Sequence, residues 1–141
     1  MPLTGAVIVM TSQDVAVNIA SKALAMFQKL NVPVVGVVEN MSTFACPHCG
    51  QETAIFTQGG GENAATRLGV PFLGSIPLDP AVVRHGDAGE PTVIAAPESA
   101  EATAFRSVAR ALEERISELN DAVPPGERAN PLGGLMQKLG Q

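Results

Sequence analysis

The sequence contains no tryptophan and no tyrosine, and its only aromatic side chains are five phenylalanines. The usual stacking platforms for nucleic-acid bases and sugars are therefore missing. Basic residues are also scarce, with 9 Lys and Arg against 14 Asp and Glu, for a net charge of −5. Because no basic field would attract a phosphate backbone or an anionic lipid, we expect neither nucleic acid nor a membrane as a partner.

Long apolar runs are absent as well. The chain has no stretch of about 18 consecutive apolar residues, the length typical of a membrane helix. No positively charged segment precedes the short apolar run near the N-terminus, as it would in an export signal. We therefore expect a cytoplasmic protein. Its 141 residues, 45% hydrophobic and 16% charged, are typical of one globular domain.

The hydrophobic pattern predicts an α/β fold. Continuous apolar runs typical of buried strands are GAVIVM (5–10), VPVVGVVEN (32–40) and VPFLGSIP (70–77), and helical patterns separate them. TVIAA (92–96) is predicted as a short extended run, followed by a long helix after Ser99. The sequence thus predicts a partial, mostly parallel sheet of three or four strands with flanking helices.

Two regions differ in composition. Residues 1–120 carry the predicted strands and helices and form the expected α/β domain. Residues 121–141 are rich in proline and glycine, and we expect a flexible C-terminal tail there. The first strand has the pattern of one buried on both faces, so a neighbouring strand should come from sequence outside these residues.

Only two cysteines occur, Cys46 and Cys49, within STFACPHCGQETAIF (42–56). This segment has too many turn formers for a long element and predicts a loose hairpin. In a reducing compartment a C-x-x-C pair is more often a metal site or a pair of catalytic thiols than a disulfide. In a metal-binding turn of this kind the two Sγ atoms converge, and the amides after each cysteine donate hydrogen bonds to sulfur.

The number of thiolates sets the main constraint on a metal site. Zn²⁺ and a [4Fe-4S] cluster both require four ligands, and Cys46 and Cys49 supply two. His48 lies inside the turn, and His85 is isolated in a predicted polar loop, so neither is expected to ligate. A two-fold axis through the metal would bring the same pair from each of two chains, so we predict a homodimer joined through the metal site. In air, zinc is an expected substitute for the cluster, since the same thiolates bind it.

Two alternatives to metal binding remain. C-P-H-C is also an active-site sequence of thiol-disulfide oxidoreductases, in which the first cysteine lies at a helix N-terminus. The following GQETAIFTQGGG does not predict a helix, which makes an oxidoreductase the less favoured function. The pair could also consist of two free thiols without a function.

Two further features bear on nucleotide binding. The glycine run at residues 59–61 precedes a helix, but Glu62 already occupies its positive end and no lysine follows, which predicts a turn rather than a phosphate loop. Asn40 ends a predicted parallel strand at its carboxyl edge, where open α/β sheets bind ligands. Its carboxamide suits an adenine edge, although a turn-capping asparagine explains it more simply. Asp79, between two prolines, can equally be a turn cap.

The motifs V-E-N-M, C-P-x-C-G, G-G-G and I-P-L-D-P occur in that order. With the surrounding residues 4 to 116, they strongly resemble the C-terminal half of the Mrp/ApbC family of P-loop ATPases, which are iron-sulfur cluster carriers. The resemblance implies a [4Fe-4S] cluster held at a dimer interface by Cys46 and Cys49 of each subunit and handed on to apo iron-sulfur proteins. It also implies that Asn40, Pro77 and Asp79 border an adenine pocket, within a larger parallel sheet of the SIMIBI type.

The family's phosphate-binding residues have no counterpart in residues 1–141. Family members carry a deviant Walker A loop, switch I and a Walker B aspartate upstream of the part matched here. ATP and Mg²⁺ are therefore implied only for the full-length family context. We predict that these 141 residues do not hydrolyse ATP by themselves, because the charge-assisted bonds to the phosphates are missing.

Overall fold

A computed structural model describes residues 3–46 and 48–122. Its strands are β1 (Ala6–Met10), β2 (Val34–Ala45), β3 (Glu52–Ala54) and β4 (Phe72–Leu78). Its helices are α1 (Asp14–Lys29), α2 (Gly60–Leu68), α3 (Pro80–Asp87), α4 (Thr92–Ala95) and α5 (Ala100–Asp121).

The four strands form one sheet around β2. Parallel β1 pairs with β2 from Val34 to Glu39, and parallel β4 pairs with β2 from Val37 to Phe44, so β2 lies between them. The short β3 is antiparallel and joins only the end of β2. This arrangement confirms the predicted partial, mostly parallel sheet with flanking helices.

Helices cover both faces of the sheet. On one face, α1 and α2 pack against the strands through a buried apolar cluster: Ile8, Met10, Val17, Ala20, Leu24, Val37, Ala64 and Ala65. On the other face, α5 places Phe105, Val108 and Leu112 against Val38, Leu73 and Ile76. Successive β2 residues such as Val37 and Val38 therefore point to opposite faces of the sheet, and both faces are buried, as the continuous apolar run predicted.

One predicted strand is a helix. The TVIAA segment, predicted as extended, forms α4, which begins after Pro91 at φ −53°. Thr92 is buried, and its hydroxyl lies 3.5 Å from Nδ1 of His85 on α3. The segment therefore packs on α3 and α5 instead of adding to the sheet. Periodicity could not distinguish the two outcomes, because an apolar run of four residues fits a helical turn as well as a strand.

The last element of the described residues is a long helix. Helix α5 runs from Ala100 to Asp121 and is capped by Ser99, whose hydroxyl accepts a hydrogen bond from the Ala102 amide at 3.1 Å, as the sequence predicted. Residues 123–141, on which most of the predicted tail falls, lie outside the described residues. Within the described ranges, no helix is long and apolar enough to cross a membrane.

Candidate metal centre

The cysteines lie at the tip of a hairpin. Strand β2 continues past the parallel sheet and pairs with β3, with Ala45 opposite Glu52. The Cys46 amide donates to the Gln51 carbonyl at 3.0 Å, and the Gly50 amide donates to the Cys46 carbonyl at 2.8 Å. Gly50 has φ 71°, a conformation that glycine adopts readily. The predicted hairpin is confirmed.

Both thiols are free. Cys46 is half-buried and Cys49 is exposed. The backbone N–H of His48, then that of Cys49, donates toward Cys46 and lowers the pKa of its thiol, and the Cys49 thiol acts in the same direction. The direction of this shift is the one that the predicted amide hydrogen bonds to sulfur would produce. Such bonds stabilise the thiolate, which is the form that binds metal and attacks disulfides.

Within the part of the chain that the structure describes, no further ligand accompanies the pair. Among the described residues, no group of three or more His, Cys, Asp and Glu side chains could hold a metal ion. His48 is exposed in the turn. His85 lies within helix α3 rather than in the predicted loop, and its ring faces Thr92. The described part of one chain thus offers two thiols.

The residues after Cys46 do not form a helix. The described residues from His48 to Gly59 contain turns and β3, and the next helix begins at Gly60. Because the described chain turns back at once, none of its helices follows the Cys46 sulfur directly. The lowered pKa of Cys46 comes from the amides of His48 and Cys49 and from the Cys49 thiol.

The glycine run packs the start of α2 onto Ser12, which follows β1, and onto Glu39 within β2. A Cβ on Gly60 would lie 2.4 Å from Cβ of Ser12, and a Cβ on Gly61 would lie 2.5 Å from Cβ of Glu39. Both contacts are too close for any side chain larger than hydrogen. Gly59 is the N-cap of α2, with φ 66°. The predicted turn is present, and the glycines after it are required by close packing.

Two buried polar side chains lie beneath these glycines. Glu39 is only 4% exposed, and its Oε2 accepts a hydrogen bond from the Ser75 hydroxyl at 3.2 Å. The Ser12 hydroxyl has no hydrogen-bond partner among the described residues. The sequence did not identify Glu39 as a site residue. The available signal was a carboxylate inside an otherwise apolar strand pattern, VPVVGVVEN.

The residues predicted to border an adenine pocket lie near one another, but Asn40 does not end its strand as predicted, because β2 continues to Ala45 in order to pair with β3. Asn40 pairs with Ile76 in the ladder between β2 and β4, which places it beside Pro77. Asp79 caps α3, where its Oδ1 accepts a hydrogen bond from the Ala81 amide at 2.6 Å. The simpler explanation of Asp79 as a cap is therefore confirmed.

A groove of about 460 Å³ runs from the hairpin along β4 to α5, and we call it the acidic groove. Five carboxylates line it: Glu39, Glu52, Glu62, Asp79 and Glu101. No lysine, arginine or histidine is among its described lining residues. The ion pairs found among the described residues, Asp14 with Arg67 and Glu118 with Arg115, lie outside the groove. Pro77 and Asp79, which were predicted to border an adenine pocket, line this groove, whereas Asn40 is not among its lining residues. The other four carboxylates were not predicted, because they come from four separate segments.

Comparison with curated proteins relates the chain to iron-sulfur proteins. It is 50% identical over 115 residues to an iron-sulfur cluster carrier protein of Deinococcus radiodurans, covering 82% of this chain and 32% of that protein. It is 39% identical over 121 residues to the iron-sulfur cluster transfer protein NUBPL of Dictyostelium discoideum, covering 86% and 38%. The chain thus spans about a third of the length of these relatives.

Solved structures show the same fold. A cell division ATPase MinD of Pyrococcus furiosus superimposes with a TM-score of 0.63 at 26% identity, covering 79% of this chain and 43% of that one. A nucleotide-binding protein of Archaeoglobus fulgidus in complex with ADP gives a TM-score of 0.53 at 36% identity, covering 61% and 35%.

The match to a family model extends over most of the chain. The ParA model, described as NUBPL iron-transfer P-loop NTPase, covers residues 1–113. This range includes the cysteine hairpin, the glycine run and all four strands. The chain therefore belongs to the ParA family of NUBPL iron-transfer P-loop NTPases.

Proposed function

We propose that this chain carries a [4Fe-4S] cluster between two of its copies and delivers it to apo iron-sulfur proteins. Cys46 and Cys49 of each copy would supply the four thiolates. The observation that carries the proposal is the exposed hairpin tip, which presents two free thiols and lowers the pKa of Cys46 through backbone amides. The names of the carrier and transfer proteins among its relatives support the same function.

The thiol count explains why two copies are needed. Each iron of the cluster takes one protein thiolate, and the described part of one chain offers two thiols at the hairpin. A site on a two-fold axis uses the same two residues from both partners, so the two chains meet through identical surfaces. The exposed position of Cys49 leaves room for this approach.

Cargo identity follows from ligand chemistry. Thiolates bind iron-sulfur clusters and also zinc. In air, where clusters are lost, we expect zinc at the same four sulfurs. The local amides favour the deprotonated form of Cys46, and this is the form that binds both iron and zinc.

A nucleotide role concerns the longer family context. We propose that Asn40, Pro77 and Asp79 border an adenine pocket when a phosphate-binding half with its ATP and Mg²⁺ is present. In support, Pro77 and Asp79 lie at the carboxyl end of β4, where open α/β sheets bind ligands, and Asn40 pairs with the neighbouring Ile76. The Asp79 carboxylate has a second oxygen besides the one that caps α3.

Thiol-disulfide exchange is the second candidate, because the lowered pKa of Cys46 would also favour nucleophilic attack. The hairpin argues against it, since no helix N-terminus lies behind the sulfur. An oxidoreductase would reduce a model disulfide catalytically and would need no metal. We expect the metal-free chain to show no such turnover.

Anaerobic reconstitution with iron and sulfide tests the carrier proposal. We expect about two iron atoms per chain, because two chains share four irons. Cys46→Ser and Cys49→Ser should each lose the cluster. His48→Ala is the matched control, because it changes an exposed side chain of the same turn and should keep the full iron content. Full iron in Cys46→Ser would contradict the proposal.

A further inference from the structure

The acidic groove is next to the cysteine turn. It begins at Ala45, which immediately precedes Cys46, and at Glu52, which pairs with Ala45 across the hairpin. From there it follows β4 and reaches Glu101 at the start of α5. One end of the groove therefore lies one residue from Cys46.

The charges in the groove have no counterions within the described chain. Glu52, Glu62 and Glu101 form no ion pair with any described residue. Glu39 is buried, and only its Oε2 receives a hydrogen bond from a described side chain, that of Ser75. A buried carboxylate without a cation is costly unless a ligand or solvent compensates it. The groove thus has a strong electrostatic preference for a cation.

The groove also has apolar surface between its carboxylates. Phe72, Leu78 and Ala104 line it together with the acidic residues. Lysine and arginine bury their aliphatic stems on such surface while their charged ends reach carboxylates. A bare metal ion would leave this apolar surface uncovered. The combination fits the long basic side chains of a peptide.

Strand addition is disfavoured at the same place. Gly74 in β4 has φ 140°, and the pairing of β4 with β2 is irregular near it. Pro77, further along β4, has no N–H to donate. A strand edge interrupted in this way does not accept a new strand readily. A ligand in the groove must be held mainly through its side chains.

We propose that the acidic groove docks a lysine- or arginine-rich segment of the protein that receives the cluster. This inference rests on the proposed carrier function and names the chemistry of its partner. Docking there holds the basic segment beside Cys46, so that the recipient's own ligands come close to the cargo. Because the contacts are charged, attraction also increases the rate of encounter at low ionic strength.

Binding of a labelled peptide to the metal-free full chain tests the proposal. The probe is a short fluorescein-labelled peptide in which lysine and serine alternate, and its partner probe carries glutamine in place of lysine. We expect anisotropy to report binding of the lysine probe alone. The triple variant Glu52→Gln/Glu62→Gln/Glu101→Gln should weaken this binding by about tenfold at low ionic strength.

The matched control removes the same number of charges elsewhere. Glu113, Glu114 and Asp121 are exposed on α5 and do not line the groove. Their conversion to Gln, Gln and Asn should weaken binding by less than about threefold, since only the long-range field changes. Equal weakening by both triple variants would overturn the proposal, because binding would then depend on net charge alone.

Spermidine, a small polycation, distinguishes a site for a peptide from a site for any cation. If spermidine binds as tightly as the lysine peptide, the site is one for small polycations and the peptide proposal is wrong.

The Cys46→Ser variant separates this proposal from the carrier proposal. It should bind the peptide normally, because Cys46 does not line the groove. A Cys46→Ser chain that loses iron but keeps peptide binding supports both proposals. A wild-type chain that holds the cluster but ignores the peptide refutes only this one.

Discussion

Two glycine-containing segments follow β2 within 15 residues of each other, and they differ in how closely other residues pack against them. The cysteine turn (46–50) is open to solvent at Gly50, where an added Cβ would meet nothing within 4 Å. The glycine run (59–61) is pressed onto Ser12 and Glu39, where an added Cβ would lie within 2.5 Å of another atom. The first segment holds the reactive groups, and the second holds the fold together.

This contrast separates chemistry from stability. Exposed residues of the turn can change without opening the core, because nothing packs on them. Gly60 and Gly61 touch Ser12, just after β1, and Glu39 within β2, so that a larger residue there displaces α2 from the sheet. Each of the following predictions tests this difference between the cysteine turn and the glycine run.

The largest stability effect is expected for Gly61→Ala. Its methyl group would meet the Glu39 side chain, with Oε2 at 2.6 Å. Overpacking of this kind costs about 1–3 kcal/mol, which exceeds the gain of about 1 kcal/mol from alanine in a helix. Urea unfolding followed by circular dichroism should show a lower midpoint. Gly86→Ala in α3 is the control, because its added Cβ meets nothing within 4 Å, and it should be neutral or stabilising.

Gly60→Ala should be destabilising by a similar or slightly smaller amount, and a second change should rescue it. The clash is with Cβ of Ser12 at 2.4 Å. Ser12→Gly removes that atom, so the double variant should recover part of the loss, and a double-mutant cycle should give a coupling above about 0.5 kcal/mol. Ser12→Ala keeps the Cβ and should not rescue. Additive effects in the Ser12→Gly cycle would contradict the contact.

Gly50→Ala should have a smaller effect. Its φ of 71° is unfavourable for alanine and costs about 1 kcal/mol, but no neighbour is displaced. Urea unfolding should show this modest loss, whereas cluster content should remain near wild type. Global unfolding of Gly50→Ala would mean that the turn is part of the core, and the cysteine turn and the glycine run would then not differ in this respect.

The smallest effect concerns pH. Because the His48 and Cys49 amides lower the pKa of Cys46, its thiolate should persist to lower pH in the folded chain than in the unfolded one. Alkylation of the Cys49→Ser variant by iodoacetamide should therefore have its midpoint below the value of about 8.5 typical of a free thiol. The same protein in urea should return to that value. Identical profiles in both states would show that the amides do not act on the sulfur.

The sequence predicted the features that depend on local pattern. Continuous apolar runs identified β1, β2 and β4, and turn formers around Cys46 and Cys49 identified the hairpin. The capping role of Ser99 was also visible, since a hydroxyl before a helical pattern is a local signal. These predictions need only a few neighbouring residues.

Features that depend on long-range packing were not predictable in the same way. Gly61 is required because Glu39, 22 positions earlier in the chain, lies beneath it. The acidic groove combines carboxylates from strands and helices that only folding brings together. Segment 92–96 was mispredicted because its helix depends on contacts with α3 and α5.

Native mass measurement of the anaerobically reconstituted protein tests the central claim most directly, because it counts chains and iron in the same particle. The account predicts a dimer that holds four irons, and a metal-free monomer for Cys46→Ser under the same conditions. A monomer that holds a complete cluster, or a dimer whose four thiols all remain open to alkylation, would contradict it.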